Sequence, residues 1–182
     1  MFLNMTTYAA LGLWLLAGVL IYACYTDLRF RKVYNTLIVF GLISSLGLWL
    51  LNASGPGGVQ WLQGVGLAFM CFMPLYLLKG MAAGDVKLAM VVGGILGSAA
   101  WMPVAVCIYL VGGVLAMGVV LMQKRGMQLI RNVNAILFFR LHHTHIQLGM
   151  EDGTDGINSV GRMPYALAIA IGTLMGVYTQ HM

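Results

Sequence analysis

Long apolar segments, separated by short polar ones, make up almost the whole chain and predict a helical membrane protein. Segments without Asp, Glu, Lys or Arg cover residues 1–26, 33–78, 88–123 and 163–182. A helix needs about 20 apolar residues to cross a hydrocarbon core of about 30 Å. The second segment is therefore long enough for two membrane spans, and the third for one full span and a shorter one.

Glycine and proline divide the two longer segments. Residues 52–58 (NASGPGG) predict a tight turn, and a second break is expected between Gly97 and Pro103. The expected fold is an all-α, polytopic membrane bundle of about six transmembrane helices, formed by residues 1–182 as a single domain. The predicted helices cover residues 6–25, 34–51, 59–78, 82–99, 102–122 and 163–180.

The basic residues support this helix count and orient the helices. All ten lie at or near three alternate connections, after the first, third and fifth helices, and the opposite connections contain none. By the positive-inside rule the basic side is cytoplasmic, so we expect both termini on the extracytoplasmic side. No Lys or Arg precedes the first helix, so we expect it to be retained rather than cleaved as a signal peptide. The basic residues are Arg29, Arg31, Lys32, Lys79, Lys87, Lys124, Arg125, Arg131, Arg140 and Arg162.

The composition agrees with a membrane protein and excludes an ordinary soluble domain. Hydrophobic residues make up 60% of the chain and charged residues 8%, whereas soluble domains carry about 25% charged residues. We attribute the net charge of +5 to membrane topology and to contacts with anionic lipid. Nucleic-acid binding is not expected, because no basic cluster is interleaved with aromatic residues in a recognisable pattern.

Residues 123–162 form the only extended polar region and are expected to be a cytoplasmic loop with an amphipathic helix on the membrane surface. His142, His143 and His145 cluster within it. Because adjacent side chains point in different directions on a helix, we interpret this cluster as an interfacial patch rather than a metal site. The cysteines lie apart, in apolar segments, at Cys24, Cys71 and Cys107. Without a C-x-x-C pair they are expected to be free thiols, and we predict neither a metal nor a cofactor.

Only five residues of the chain are acidic, and two of them stand alone at the edges of apolar segments. These are Asp27, after the first predicted helix, and Asp85, at the start of the fourth. The apolar part of the fourth helix beyond Lys87 is about 11 residues, or about 16 Å, so the helix has to begin near Met81 to span the membrane. Asp85 then lies about one turn inside the cytoplasmic edge, where an acidic residue is costly and is by default a functional candidate.

The predicted topology brings both aspartates to the cytoplasmic side at similar depth. If they converge, two adjacent carboxyl groups divide into one acid and one anion. Such a pair activates a water molecule and protonates a carbonyl oxygen, which is sufficient for peptide hydrolysis without a metal. Spacing alone favours a structural interpretation, in which Asp27 pairs with Arg29 or Arg31 and Asp85 caps the fourth helix.

Three stretches resemble the type IV prepilin peptidases, the bacterial branch of the GxGD membrane aspartyl proteases. Residues 80–88 (GMAAGDVKL) are similar to the motif around the second family aspartate. Asp27, followed by basic residues and Val33-Tyr34-Asn35, is similar to the first. The sequence RMPY at 162–165 is similar to the opening of the last family helix. The nearest likeness is to the short Tad/Cpa-type members that process Flp pilins.

The chain departs from the family pattern at two positions. Ala82 stands where the GxGD motif has its first glycine, and Tyr34 replaces the usual proline. Ala82, Gly84 and Lys87 are nevertheless expected to support the motif. Gly84 leaves room beside Asp85 for a substrate backbone or a neighbouring helix, and Lys87 is expected to extend toward lipid head groups.

The resemblance implies that Asp27 and Asp85 are a catalytic dyad that cleaves the leader from prepilins and pilin-like proteins. Cleavage is expected at the cytoplasmic face of the bacterial inner membrane. Because the chain lacks the paired C-x-x-C motifs of larger relatives, we expect no N-methylation of the product. Two alternatives are a transporter or channel subunit that uses Asp85 and Lys87 on an ion path, and a structural assembly subunit in which both aspartates tolerate Asn.

Overall fold

A computed structural model describes residues 5–51, 57–78, 80–122 and 165–180, and within these ranges all regular structure is helical. The predicted all-α class is therefore confirmed for the described residues. The helices are α1 (Met5–Phe30), α2 (Asn35–Leu51), α3 (Gly57–Leu77), α4 (Ala83–Met122) and α5 (Tyr165–Gln180).

Among the described residues, three helical segments are long and apolar enough to cross a membrane. They are Ala10–Phe30, Gly57–Leu77 and Ala83–Gly118, while Asn35–Leu51 and Tyr165–Gln180 are apolar but shorter. Large apolar side chains face outward from these helices, as with Trp14 at 77% and Val114 at 72% exposure. This outward apolar surface is the arrangement expected of helices that contact lipid.

The chain divides into two compact units, residues 1–112 with 164–182, and residues 113–163. The described part of the second unit is the end of α4. The predicted cytoplasmic loop 123–162, with its amphipathic helix and the cluster of His142, His143 and His145, lies outside the described residues.

The first helix ends later than the sequence predicts. It was expected over 6–25, with Asp27 beyond it, but α1 continues to Phe30, so Asp27 lies in its last turns. The helix ends where Arg31 adopts a left-handed backbone conformation, with a φ of 52°. The Arg31 N–H donates to the Asp27 carbonyl at 2.9 Å, which is the single hydrogen bond of an αL C-terminal motif.

The fourth and fifth predicted helices form one element with a sharp break. The break lies at Gly97, whose φ is 75° and ψ 174°, whereas Pro103 continues inside the helix. Glycine tolerates this positive φ because it lacks a Cβ. A Cβ at Gly97 would also lie 2.7 Å from Cζ2 of Trp49, and the Trp49 indole donates to the Gly94 carbonyl at 2.9 Å, just before the break.

The chain turns back at this break. Gly93 and Tyr109 would be about 24 Å apart along a straight helix at 1.5 Å per residue. However, a Cβ on Gly93 would lie 2.8 Å from the Ala68 side chain, and the Tyr109 hydroxyl donates to the carbonyl of Cys71, only one turn farther along α3. The two halves of α4 therefore return to the same part of α3, so the predicted division into two helical segments matches the structure.

The first half of α4 lies at the centre of the core. Its side chains Leu88, Val91 and Val92 are fully buried. It is packed most closely where glycines meet: the backbones of Gly64 on α3 and Gly93 on α4 leave no room for a Cβ on either residue. Such small-residue contacts let helix backbones approach in membranes, where there is no hydrophobic force between helices.

The second half of α4 runs antiparallel to α5 along a stripe of small residues. Gly172 lies against Ile108 and Gly176 against Val104, and the Gln180 amide donates to the Ala100 carbonyl at 3.0 Å. A Cβ on Gly172 would lie 2.7 Å from the Ile108 backbone nitrogen. The spacing of four residues on both helices keeps this contact in register.

We predict that Gly172→Ala destabilises the protein by about 1–3 kcal/mol, because the added methyl group forces α5 away from the backbone of α4. Gly66→Ala is the matched control. A Cβ there meets nothing within 4 Å, so the higher helix propensity of alanine should leave stability unchanged or raise it slightly. Thermal unfolding of the detergent-purified variants measures both effects. A Gly172→Ala variant as stable as the parent would contradict the tight contact.

We also predict that Arg31→Gly is more stable than Arg31→Ala by about 1 kcal/mol, because only glycine adopts the left-handed conformation without strain. Both substitutions remove the guanidinium group and differ only in the Cβ methyl group, so their difference measures the cost of the left-handed conformation for a residue with a Cβ. The same thermal unfolding measurement applies. Equal stability of the two variants would show that the left-handed end of α1 carries no strain.

Candidate functional site

Asp27 lies in the last turns of α1, where it connects this helix to the start of α5. Its side chain is half-buried, and Oδ2 accepts a hydrogen bond from the Ala166 N–H at 3.3 Å. One turn earlier, the Cys24 thiol donates to the Ala166 carbonyl at 3.5 Å. The first N–H groups of a helix lack intrahelical partners and carry partial positive charge, so the start of α5 stabilises the ionised Asp27 carboxylate.

Asp85 lies in the first turn of α4 and is 6% exposed. Its carboxyl group lies close enough to that of Asp27 for the two charges to interact. The hydroxyl of Tyr165, the first residue of α5, is a further electrostatic neighbour of Asp85. The structure therefore brings both predicted aspartates together, where the end of α1 meets the starts of α4 and α5.

The structure bears differently on the structural roles that the sequence left open for the two aspartates. Arg29 lies over the Phe30 ring, 5.8 Å from its centroid, and Arg31 ends the helix through its backbone. The residue at the cap of α4 is Ala82, whose carbonyl accepts from the Asp85 and Val86 N–H groups at 3.0 and 3.4 Å. Asp85 is thus not the cap residue itself, but its carboxyl group interacts with the Ala82 backbone N–H, as the third helical residue does in a capping box.

The three motif residues around Asp85 have different surroundings. Ala82 is exposed, and among the described non-glycine residues only Arg31 has a positive φ, so position 82 does not require glycine. A Cβ on Gly84 would lie 3.3 Å from Cβ of Val33, so the glycine accommodates the α1–α2 connection. Lys87 was expected to extend toward lipid; instead its Nζ donates to Oδ1 of Asn35 at 3.0 Å.

Sequence reasoning missed Tyr165, Ala166 and Asn35 as parts of this site. Tyr165 was noted only as the opening of a family-like last helix. A tyrosine after the proline that precedes an apolar helix was a usable signal for a residue at the membrane edge. Asn35 was noted only as the end of the family-like stretch after Asp27, and its partner is set by a contact across the fold. Ala166 had no signal, because it contributes a backbone group.

Metal ligands are not clustered in the part of the chain that the structure describes: no group of three or more His, Cys, Asp or Glu residues lies together there. The cysteines are free and half-buried at Cys24, Cys71 and Cys107, as predicted. The two carboxyl groups and the nearby hydroxyl are thus the chemically useful groups that the described site offers.

An open cleft of about 550 Å³ lies between α1 and α2, next to the Asp27 position. It is lined mainly by aromatic and threonine side chains: Tyr22, Tyr25, Thr26, Phe30, Tyr34, Thr36, Leu37 and Phe40. Its volume is within the range of about 300–1,000 Å³ that is typical of ligand sites.

A family model, described as the type IV leader peptidase family, matches residues 14–119. The chain belongs to this family. The matched range includes Asp27, Asp85 and all residues between them. Comparison with curated proteins and with solved structures gave no match.

Membership confirms the resemblance drawn from the sequence and makes the chain a peptidase, which is a hydrolase. With its apolar helices, this leader peptidase is a multi-pass membrane protein.

We predict that Ala82→Gly leaves the peptidase activity within about twofold of the parent, because the position is exposed and glycine is at least as good a cap as alanine. Ala82→Leu is the informative comparison. If activity depends on open space beside Asp85, leucine lowers it while glycine does not. Initial rates of leader cleavage measure both. A large gain in activity with glycine would show that alanine impairs this site.

Proposed function

We propose that this chain is an aspartic endopeptidase that removes the leader from type IV or Flp-type prepilins and pilin-like proteins. Asp27 and Asp85 are its catalytic dyad. The observation that supports the proposal is the electrostatic interaction between these two carboxyl groups, which lie on separate helices inside the region that matches a leader peptidase family.

The environments of the two carboxyl groups support different roles. Asp27 Oδ2 accepts a backbone hydrogen bond at the start of α5, a contact that an ionised oxygen makes best. Asp85 also interacts with a backbone N–H, that of Ala82, but it is more deeply buried than Asp27, and burial makes the neutral form the less costly one. We therefore assign Asp27 as the general base and Asp85 as the general acid.

The reaction then follows in two steps. Asp27 removes a proton from a water molecule, whose oxygen adds to the scissile carbonyl carbon while Asp85 gives its proton to the carbonyl oxygen. In the second step the proton held by Asp27 passes to the leaving nitrogen, the C–N bond breaks, and the hydroxyl proton returns to Asp85. Both carboxyl groups end in their starting states, and the products are a carboxylic acid and an amine.

The proposed orientation has six membrane spans, with the two halves of α4 counted separately. Both termini face away from the cytoplasm, and the dyad lies at the cytoplasmic face of the bacterial inner membrane. The basic residues that follow Asp27 at positions 29, 31 and 32 support this side, since positive charge accumulates in cytoplasmic connections. The absence of a C-x-x-C motif among the three cysteines supports cleavage without N-methylation.

The alternative of an ion path through Asp85 and Lys87 has less support. Lys87 is exposed and bonded to Asn35, whereas Asp85 is buried among the ends of α1, α4 and α5. Residues at positions i and i+2 do not face each other on a helix.

We predict that Asp27→Asn and Asp85→Asn each reduce prepilin cleavage by at least about 10²-fold, because each removes one of the two proton-transfer groups. The measurement is the mass shift of a prepilin incubated with the enzyme in detergent or liposomes. Asp152→Asn, which changes an acidic residue of the loop 123–162, is the matched control and should remain active.

All three variants must be recovered from the membrane fraction in similar amounts for the comparison to be valid. Normal cleavage by either Asp27→Asn or Asp85→Asn would refute the dyad.

A further inference from the structure

We propose that Lys87 and Asn35 are positioning residues, whose hydrogen bond holds the α1–α2 connection against the start of α4 and so sets the separation of the two aspartates. We call this contact the Lys87–Asn35 clamp. The inference rests on the proposed function of Asp27 and Asp85 and adds two residues that touch neither the carboxyl groups nor the scissile bond.

The clamp residues belong to the same two segments as the aspartates. Asn35 is the first residue of α2 and follows Asp27 through the left-handed turn at Arg31. Lys87 follows Asp85 within the first turns of α4. The bond between Lys87 Nζ and Asn35 Oδ1, at 3.0 Å, joins residues that are 52 positions apart. It therefore fixes one aspartate-bearing segment to the other.

A second contact supports the same juxtaposition independently of the hydrogen bond. Gly84 has no side chain where Val33 approaches, and a Cβ there would lie only 3.3 Å from Cβ of Val33. Val33 in turn packs against the hydrophobic core. Apolar packing at Val33 and Gly84 thus brings the two segments into contact, and the clamp sets their position relative to each other.

Lys87 and Asp85 act on different sides of α4. Two residues at positions i and i+2 are about 200° apart around a helix, so the lysine reaches α2 while the aspartate remains among the ends of α1, α4 and α5. Because the two side chains lie on different sides of α4, Lys87 can position the segments without forming an ion pair with Asp85.

The expected effect is on catalysis more than on stability. Both clamp residues are exposed, and exposed polar pairs add little to global stability. In contrast, a displacement of about 1 Å between reacting groups costs about 10²-fold in rate. Loss of the clamp should therefore lower kcat while KM and the unfolding temperature change little.

The first test is a double-mutant cycle with prepilin cleavage as the readout. Asn35→Leu and Lys87→Met should each lower kcat by about 10-fold or more, and the double variant should be no worse than either, because the two residues share one interaction. Asn35→Asp keeps the acceptor oxygen and should restore the parent kcat.

If Lys87 instead contacts lipid or substrate, Asn35→Leu should leave kcat unchanged, or the losses of kcat in the two single variants should multiply in the double variant. Either result overturns the clamp while leaving the dyad intact.

The second test does not depend on peptidase activity. Asp27→Cys and Asp85→Cys are introduced together into a protein in which Cys24, Cys71 and Cys107 are alanine, and the rate of disulfide formation under mild oxidation is measured. Adding Asn35→Leu should slow this rate several-fold, whereas adding Asn35→Asp should not.

An unchanged rate with Asn35→Leu overturns the clamp even if the protein proves to have another function. If the dyad proposal fails but Asn35→Leu still slows the disulfide, the clamp holds as a structural device.

Discussion

Burial of the Asp85 carboxyl group is the constraint around which the described bundle is arranged. The group is 6% exposed, and a buried polar group is costly unless other polar groups surround it. The polar groups that the structure places near Asp85 are the Asp27 carboxyl group, the Tyr165 hydroxyl and the Ala82 backbone N–H. The end of α1 and the starts of α4 and α5 therefore lie close together here, and the contact of Gly84 with Val33 helps to hold α4 beside the α1–α2 connection.

Glycines make this meeting possible in a chain that is apolar almost throughout. Lipid is as apolar as the helix surfaces, so close backbone approach and polar contacts have to select how helices pair. The backbones of Gly64 and Gly93 meet between α3 and α4, Gly172 meets Ile108 between α5 and the second half of α4, and Gly97 turns the chain back between these contacts. The positions of these glycines therefore decide where the helices of the bundle can approach each other closely.

The hydropathy pattern was sufficient to locate the helices and to single out Asp27 and Asp85. Desolvation makes any charged residue in an apolar segment costly, whichever residues surround it in the fold, so such a residue stands out in the sequence. The pattern did not give the end of α1, which depends on the backbone conformation of Arg31. It also did not give the partner of Lys87, because Asn35 is 52 residues away. Side-chain and backbone contacts across the fold, such as that of Ala166 with Asp27, are properties of the packed bundle and leave no local signature.

The hydrogen bond between Asp27 and Ala166 joins residues 139 positions apart, and this separation bears on biosynthesis. A ribosome completes α1 long before it synthesises α5, so the first helices enter the bilayer with the Asp27 carboxylate still lacking its partner. Only when the last helix inserts and packs does the set of groups around the aspartates become complete. Under the proposed function, a nascent or truncated chain that lacks α5 therefore carries both acids without the Ala166 contact, and cleavage should require α5.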